Sequence, residues 1–145
     1  MSNILIPDEF DKRTKPKEIW LPSHKEIDLS ACNILWEAQP KQVKFMQRYE
    51  DEALYGGAAG GGKSDALVME ATRQVHIPHY KALLIRRTFP QLKELIDKSR
   101  IMYPYAFPGA RYNESSHIWL FPSGAQIIFG SMPHNKDKYN YQGIA

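Results

Sequence analysis

Apolar and polar positions change their period several times along this chain, and each change marks an expected element. Gln39-Pro40-Lys41-Gln42 opens the first: Pro40 suits the first helical position, and Val43, Met46 and then Glu50 follow at helical spacing. Ala53, Leu54 and Tyr55 form a short apolar run that ends at paired glycines and predicts a strand. Asp65 to Val75 contains neither Gly nor Pro, and Val68, Ala71 and Val75 recur on one helical face. Lys81 to Arg86 encloses the unbroken run Ala82-Leu83-Leu84-Ile85, the pattern of a parallel strand buried on both faces. Thr88-Phe89-Pro90 then opens a helix whose stripe is Leu92, Leu95, Ile96 and Ser99, with an end expected before Tyr103-Pro104. Two β-rich runs, His117 to Phe121 and Ala125 to Phe129, are joined by Pro122-Ser123-Gly124, which predicts a hairpin extending the sheet. Strand, helix, strand and helix in alternation place the chain in the α/β class.

The two ends of the chain lack such periodicity. Met1 to about Asn33 mixes charges with Pro7, Pro16 and Pro22 and reads as an extended arm; Trp20 and Leu21 are its anchor candidates, and Lys15, Lys17 and Lys25 either touch a phosphate backbone or form a solvated surface. From Met132 onward, Lys136, Lys138, Tyr139, Tyr141 and Gln142 interleave charge with aromatic rings, the pattern either of a nucleic-acid contact or of a plain surface loop. The expected organisation is an arm over 1–35 and one domain over 36–145.

Composition narrows this little. A chain of 145 residues can bury a core of one domain, and 43% hydrophobic with 24% charged residues is ordinary for a globular protein. A net charge of +3 permits a nucleic-acid partner without requiring one. Cys32 is the single cysteine, so no internal disulfide is possible, and a reducing cytoplasmic setting is the simplest expectation. No apolar run approaches the length of a membrane span, so no membrane partner is expected.

The chemistry concentrates in Leu54 to Ser64. Gly57 and Gly62 stand at the spacing Gly-x-x-x-x-Gly-Lys-Ser, the phosphate-binding loop called Walker A. Polyphosphate is best held by many backbone N–H groups, and only small residues let the backbone curl that closely around it, so Gly57, Ala58, Ala59, Gly60, Gly61 and Gly62 form the expected cradle. Lys63 is expected on the β and γ phosphates of ATP, as the catalytic lysine, and the Ser64 hydroxyl on the Mg²⁺ that bridges them. A helix beginning there would point its partial positive charge at the same phosphates. The alternative is a flexible glycine turn without a ligand. Gln42, upstream of the loop, carries a carboxamide able to read the N6 amine and N7 of adenine; it is equally a surface glutamine. Phe45 and Tyr49 are either base-packing rings or core. Arg86 and Arg87 close the second expected strand, where an open α/β sheet presents its ligand-facing edge; each either meets phosphate or DNA or pairs with a surface carboxylate.

Taken in order, Gln39-Pro40-Lys41-Gln42, the loop Gly56 to Ser64, Leu84-Ile85-Arg86-Arg87-Thr88 with Pro90-Gln91-Leu92, and Tyr141-Gln142-Gly143 resemble the N-terminal ATPase half of the large terminase subunit of tailed bacteriophages. The resemblance covers about Trp36 to Ala145. It implies a P-loop NTPase fold of the RecA-like (ASCE) type, a sheet with flanking helices, here incomplete at the C-terminal side. It also implies a motor that couples ATP hydrolysis to translocation of double-stranded DNA into a procapsid. A portal protein, a small terminase subunit and a homo-oligomeric ring would be its partners, and the bacterial host cytoplasm its location, with a prophage origin as the alternative. On that resemblance Gln42 matches the adenine-reading glutamine, and Lys63 and Ser64 the Walker A pair. The loop departs from the family in lacking an internal arginine. No apolar run ends in Asp-Glu as a Walker B strand does, and the nuclease domain is absent, so slow or no ATP hydrolysis by this chain is expected. The rival expectations are a portion of another RecA-like or helicase-type ATPase, or a non-catalytic nucleotide-binding remnant.

Overall fold

The computed structural model describes residues 34–48 and 50–141. The chain divides into two compact units, Met1–Ala59 and Gly60–Ala145.

In the first unit, α1 spans Pro40–Met46. Pro40 sits at its start, where the missing N–H has no intrahelical partner to lose, and the helix stops before Glu50. Residues 53–55, expected as a strand, belong to no regular element, and Leu54 is 95% exposed. Three apolar residues hold a strand only where a neighbour takes up their N–H and C=O groups. The described strands pair only with one another.

In the second unit the elements run α2 (Lys63–Glu70), β1 (Lys81–Arg86), α3 (Phe89–Ala106), β2 (Arg111–Asn113), β3 (Ile118–Leu120) and β4 (Gln126–Ser131), followed by a 3₁₀ segment over Asn135–Tyr141. The strands form one mixed sheet in the order β1-β4-β3-β2. β1 and β4 are parallel, with Leu84 opposite Phe129 and Arg86 opposite Ser131; β3 pairs antiparallel with both β4 and β2. The expected hairpin is present, with Trp119 opposite Ile127, and β4 continues past Phe129 to Ser131. The short β2 has no counterpart among the expected elements, because three residues, Arg111-Tyr112-Asn113, carry too little pattern to stand out. The architecture is therefore a mixed α/β fold with helices flanking a four-stranded sheet.

Side chains alternate across a strand, so the register sorts the sheet into two faces. One face carries Ala82, Leu84, Tyr112, Trp119, Ile127 and Phe129, and these pack with the α3 stripe of Leu92, Leu95, Ile96 and Tyr103 and with Val68 of α2. The expected stripes are thus the buried ones: Val68, Ala71 and Val75 join the same core. The opposite face carries Leu83, Ile85, Ile118, Leu120 and Ile128, none of them buried. This corrects the expectation that β1 is buried on both faces: α2 and α3 pack on one side, and Ile85 remains 37% exposed on the other.

Two helix ends also differ from expectation. α2 stops at Glu70 rather than running to Val75, because the chain tightens into i→i−3 hydrogen bonds, Thr72 N to Met69 O and Val75 N to Thr72 O. The Thr72 hydroxyl donates to the Met69 carbonyl at 2.7 Å and competes with the continuing helix. α3 instead runs through Pro104 to Ala106. A proline in the last turn removes one hydrogen bond, and here the turn is held by Tyr103, whose hydroxyl donates to Val68 O at 2.6 Å and whose carbonyl accepts from Phe107 N at 2.8 Å.

Candidate functional site

The glycine run is divided by the unit boundary: Gly57, Ala58 and Ala59 belong to the first unit, and Gly60 to Ser64 to the second. In the second unit the run leads directly into α2, as the phosphate-loop pattern requires. Gly60 and Gly62 both adopt positive φ, 78° and 69°. Gly62 is the residue that caps α2, and its carbonyl accepts the first helical bond from Ala66 N at 3.0 Å. A side chain at either position would strain the backbone, so glycine is needed there for conformation. A Cβ at Gly60 would meet nothing within 4 Å, so the requirement at that position is not one of space.

Lys63 and Ser64 are the first two residues of α2, both half-buried. The amides of Ser64 and Asp65 lie in the first turn, where an α-helix provides no acceptor of its own, and the helix dipole adds partial positive charge there. Asp65 places a carboxylate in the same turn, which would repel a phosphate. Its charge is offset by Lys98 of α3, whose ammonium lies 2.5 Å from Asp65 Oδ1, with both side chains about one-third exposed. This pairing spans thirty-three residues and has no local sequence signal.

Arg86 is the last residue of β1, and alternation puts its side chain on the helix-covered face with Ala82 and Leu84. Its Nη2 donates to Ser64 Oγ at 3.3 Å, so the strand end and the first turn of α2 meet at the serine hydroxyl. The strand end is fixed by Met132 N, which donates to Arg86 O at 2.9 Å. Arg87 follows on an exposed bend. The two arginines, equivalent in the sequence, are thus separated by the end of β1, Arg86 inside the strand and Arg87 on the bend beyond it.

In the first unit Gln42 is 2% exposed, so it is no surface glutamine. Its Oε1 accepts the Gln39 backbone N–H at 2.7 Å, the reciprocal half of a capping box at the start of α1. A carboxamide that reads adenine must share that oxygen or release the cap. Phe45 stacks on Tyr55 with centroids 4.9 Å apart and planes 16° from parallel, while Tyr49 lies outside the described residues. The arm residues Trp20, Leu21, Lys15, Lys17, Lys25 and Cys32 also lie outside them, as do Gln142 and Gly143.

The acidic candidates Glu94, Asp97 and Asp137 sit away from strand ends. Glu94 and Asp97 lie on α3, paired with Lys98 at 3.8 Å and Lys93 at 2.6 Å, and Asp137 accepts the His134 N–H at 2.8 Å. Among the described residues no group of three His, Cys, Asp or Glu side chains has metal-binding geometry, and no helix is long and apolar enough to cross a membrane.

In the last segment the aromatic residues part company. Tyr141 turns onto β4: its hydroxyl donates to Ser131 O at 2.8 Å, and its ring lies where a Gly130 Cβ would be, 2.5 Å from the nearest atom. Tyr139 stays 60% exposed, with Lys138 Nζ 5.2 Å from its ring centroid. The signal for the Tyr141 contact is Gly130 itself, since an isolated glycine in a strand marks close approach of another group.

Comparison with family models, curated proteins and solved structures gives no match.

Proposed function

We propose that this chain is the ATP-binding part of a viral DNA-packaging motor, a P-loop NTPase of the RecA-like type resembling the large terminase subunit. The observation that supports the nucleotide reading best is the run Gly60 to Ser64: two glycines at positive φ deliver Lys63 and Ser64 to the first turn of α2, with the Arg86 guanidinium at the serine. In this reading the first-turn amides and Lys63 take the phosphates of ATP. Ser64 Oγ is the protein ligand to Mg²⁺, which would neutralise phosphate charge, and Lys98 keeps Asp65 from opposing it. The family resemblance assigns adenine selection to Gln42, whose Oε1 would then share or release the Gln39 N–H. Double-stranded DNA, a portal protein, a small terminase subunit and further copies of the chain are the partners that follow from the family resemblance, and the host cytoplasm is the compartment.

Phosphoryl transfer needs a carboxylate to hold the metal and a group to orient water. β1 ends in Arg86 and β4 in Ser131, so neither strand supplies that acid. Binding with little turnover by this chain is therefore expected.

The test is direct. Purified chain should bind a fluorescent ATP analogue in the presence of Mg²⁺, prefer ATP to GTP, and release phosphate slowly with or without double-stranded DNA. Absence of nucleotide binding would remove the reading. Robust turnover abolished by Lys63→Ala would show that a catalytic acid is present after all.

A further inference from the structure

We propose that the segment after β4 is a contact surface for single-stranded nucleic acid, in which the Tyr139 ring stacks on an unpaired base and Lys136 and Lys138 take the flanking phosphates. The proposal goes beyond the nucleotide reading above and does not depend on it.

Four observations carry it. First, the segment is a loop tied down at both ends. At its start Met132 N donates to Arg86 O at 2.9 Å; at its finish the Tyr141 ring fills the space over Gly130, and its hydroxyl donates to Ser131 O at 2.8 Å. Side chains between the two ties are presented from a fixed base, which lowers the ordering cost when a ligand binds. Second, the loop sorts its charges. Lys136 and Lys138 are exposed, whereas Asp137 between them is half-buried, its Oδ2 accepting the His134 N–H at 2.8 Å. Among the described residues no carboxylate pairs with either lysine, so the loop offers a polyanion two positive charges and holds its one acid against its own backbone. Third, an aromatic ring is placed with those charges. Residues three apart in a 3₁₀ helix stand over one another, so Lys136 and Tyr139 share a face of Asn135–Tyr141. The Lys138 ammonium lies over the Tyr139 ring, 5.2 Å from its centroid, and Tyr139 is 60% exposed. A ring beside cations suits a base with its phosphates, because every base has a π face. A duplex hides those faces in its stack, so the partner that this ring fits is a single strand. Fourth, another cation leaves the same end of the sheet. β1 and β4 are parallel with Arg86 opposite Ser131, so the exposed Arg87 and the loop start from one end and add to its positive charge.

The experiment is fluorescence anisotropy of the full chain with labelled oligo(dT), oligo(rU) and a DNA duplex of equal length, without ATP and over a range of salt. The variants are Tyr139→Ala, Tyr139→Phe and Lys136→Gln combined with Lys138→Gln, each with a thermal melt to show that it folds. Tyr139→Ala should lose about fivefold or more on single strands, the scale of one base–aromatic stack, and change by less than about twofold on the duplex. Tyr139→Phe keeps the ring and should bind as the parent does. Removing both lysines should make the slope of log affinity against log salt shallower by about 1.4, or about 0.7 for each phosphate contact on a single strand. A Tyr139 effect on oligo(dT), oligo(rU) or both supports the surface, and the tighter of the two names the strand it takes. A parent chain that binds neither single strand, a Tyr139→Ala variant that binds both as the parent does, equal losses on single strand and duplex, as large a loss in Tyr139→Phe, or a salt slope unchanged without the lysines would overturn it. Every arm is read without ATP, so failure here leaves the nucleotide reading in place, and failure of that reading leaves this surface in place.

Discussion

The eight residues of α2 have two ends that are held in different ways. At Ala66, Val68 and the following turn, the helix is gripped: Val68 and Ala66 are fully buried, the Tyr103 hydroxyl donates to the Val68 carbonyl, and Ala71 and Val75 continue the same apolar stripe. At Ser64 and Asp65 the side chains are half-buried and are met by polar, displaceable contacts, a long bond from Arg86 and an ion pair from Lys98. A binding site set on such an element gains its precision from the far end and its chemistry from the near one. Substitutions should divide accordingly: the gripped end governs whether the chain folds, and the polar end governs what it binds.

The largest effect is expected in the core that grips α2. Leu95→Ala removes a side chain 1% exposed at the centre of the α3 stripe and should cost about 2–5 kcal/mol by chemical denaturation. A cost under about 1 kcal/mol would mean that the core between α2, α3 and the sheet is not the anchor described.

Next is Gly130→Ala, where the new Cβ would fall 2.5 Å from Tyr141 Oη and displace the ring from β4. The expected cost is about 1–3 kcal/mol, and it should largely vanish in a Tyr141→Ala background, because the clash and the displaced contact are then gone. Additive costs in that cycle would break the assignment of Tyr141 to this position.

Tyr103→Phe leaves the Val68 carbonyl without its donor and should cost about 1–3 kcal/mol. The same residue gives a pH signature. Burial, reinforced by nearby Tyr80, pushes the Tyr103 hydroxyl well above the usual tyrosine range. A group with a raised folded-state value contributes stability that is complete below its unfolded value, about 10, and is lost as pH rises beyond it. Stability of the parent should therefore fall above about pH 10, and less steeply in Tyr103→Phe. Equal slopes would mean that this hydroxyl is not buried in solution.

The smallest effect on stability belongs to the polar end. Lys98→Ala should change folding by about 0–1 kcal/mol, since the pair is partly exposed. Its nucleotide affinity should nevertheless drop several-fold as Asp65 loses its counter-charge, and adding Asp65→Asn should restore it. A Lys98→Ala chain that binds ATP normally would show that Asp65 does not face the phosphates.

The same contrast explains how much of the molecule was legible in its sequence. The α3 stripe, β1 and the Trp119–Ile127 hairpin follow from periodic patterns several residues long, and the structure reproduces them. Residues 53–55 do not form a strand, because a strand depends on a partner that no local pattern encodes. α2 ends early because a threonine hydroxyl competes for a carbonyl, and α3 passes Pro104 because Tyr103 is tied to another helix. At the candidate site the register of Lys63 and Ser64 could be read directly. What could not be read was which neighbours the fold would deliver: Arg86 rather than Arg87 at Ser64, Lys98 at Asp65, and the burial of Gln42 in the cap of its own helix.

That the polar end of α2 holds nucleotide phosphates while the other end holds the fold is tested most directly by Lys63→Ala. Binding of a fluorescent ATP analogue with Mg²⁺ should be measured beside the thermal melt of the same sample. The expected result is a melt close to that of the parent and binding lost by about a hundredfold or more, the loss that follows when a charge-assisted contact to phosphate is removed. A variant that binds the analogue as tightly as the parent would contradict it, because Lys63 would then not be the phosphate lysine.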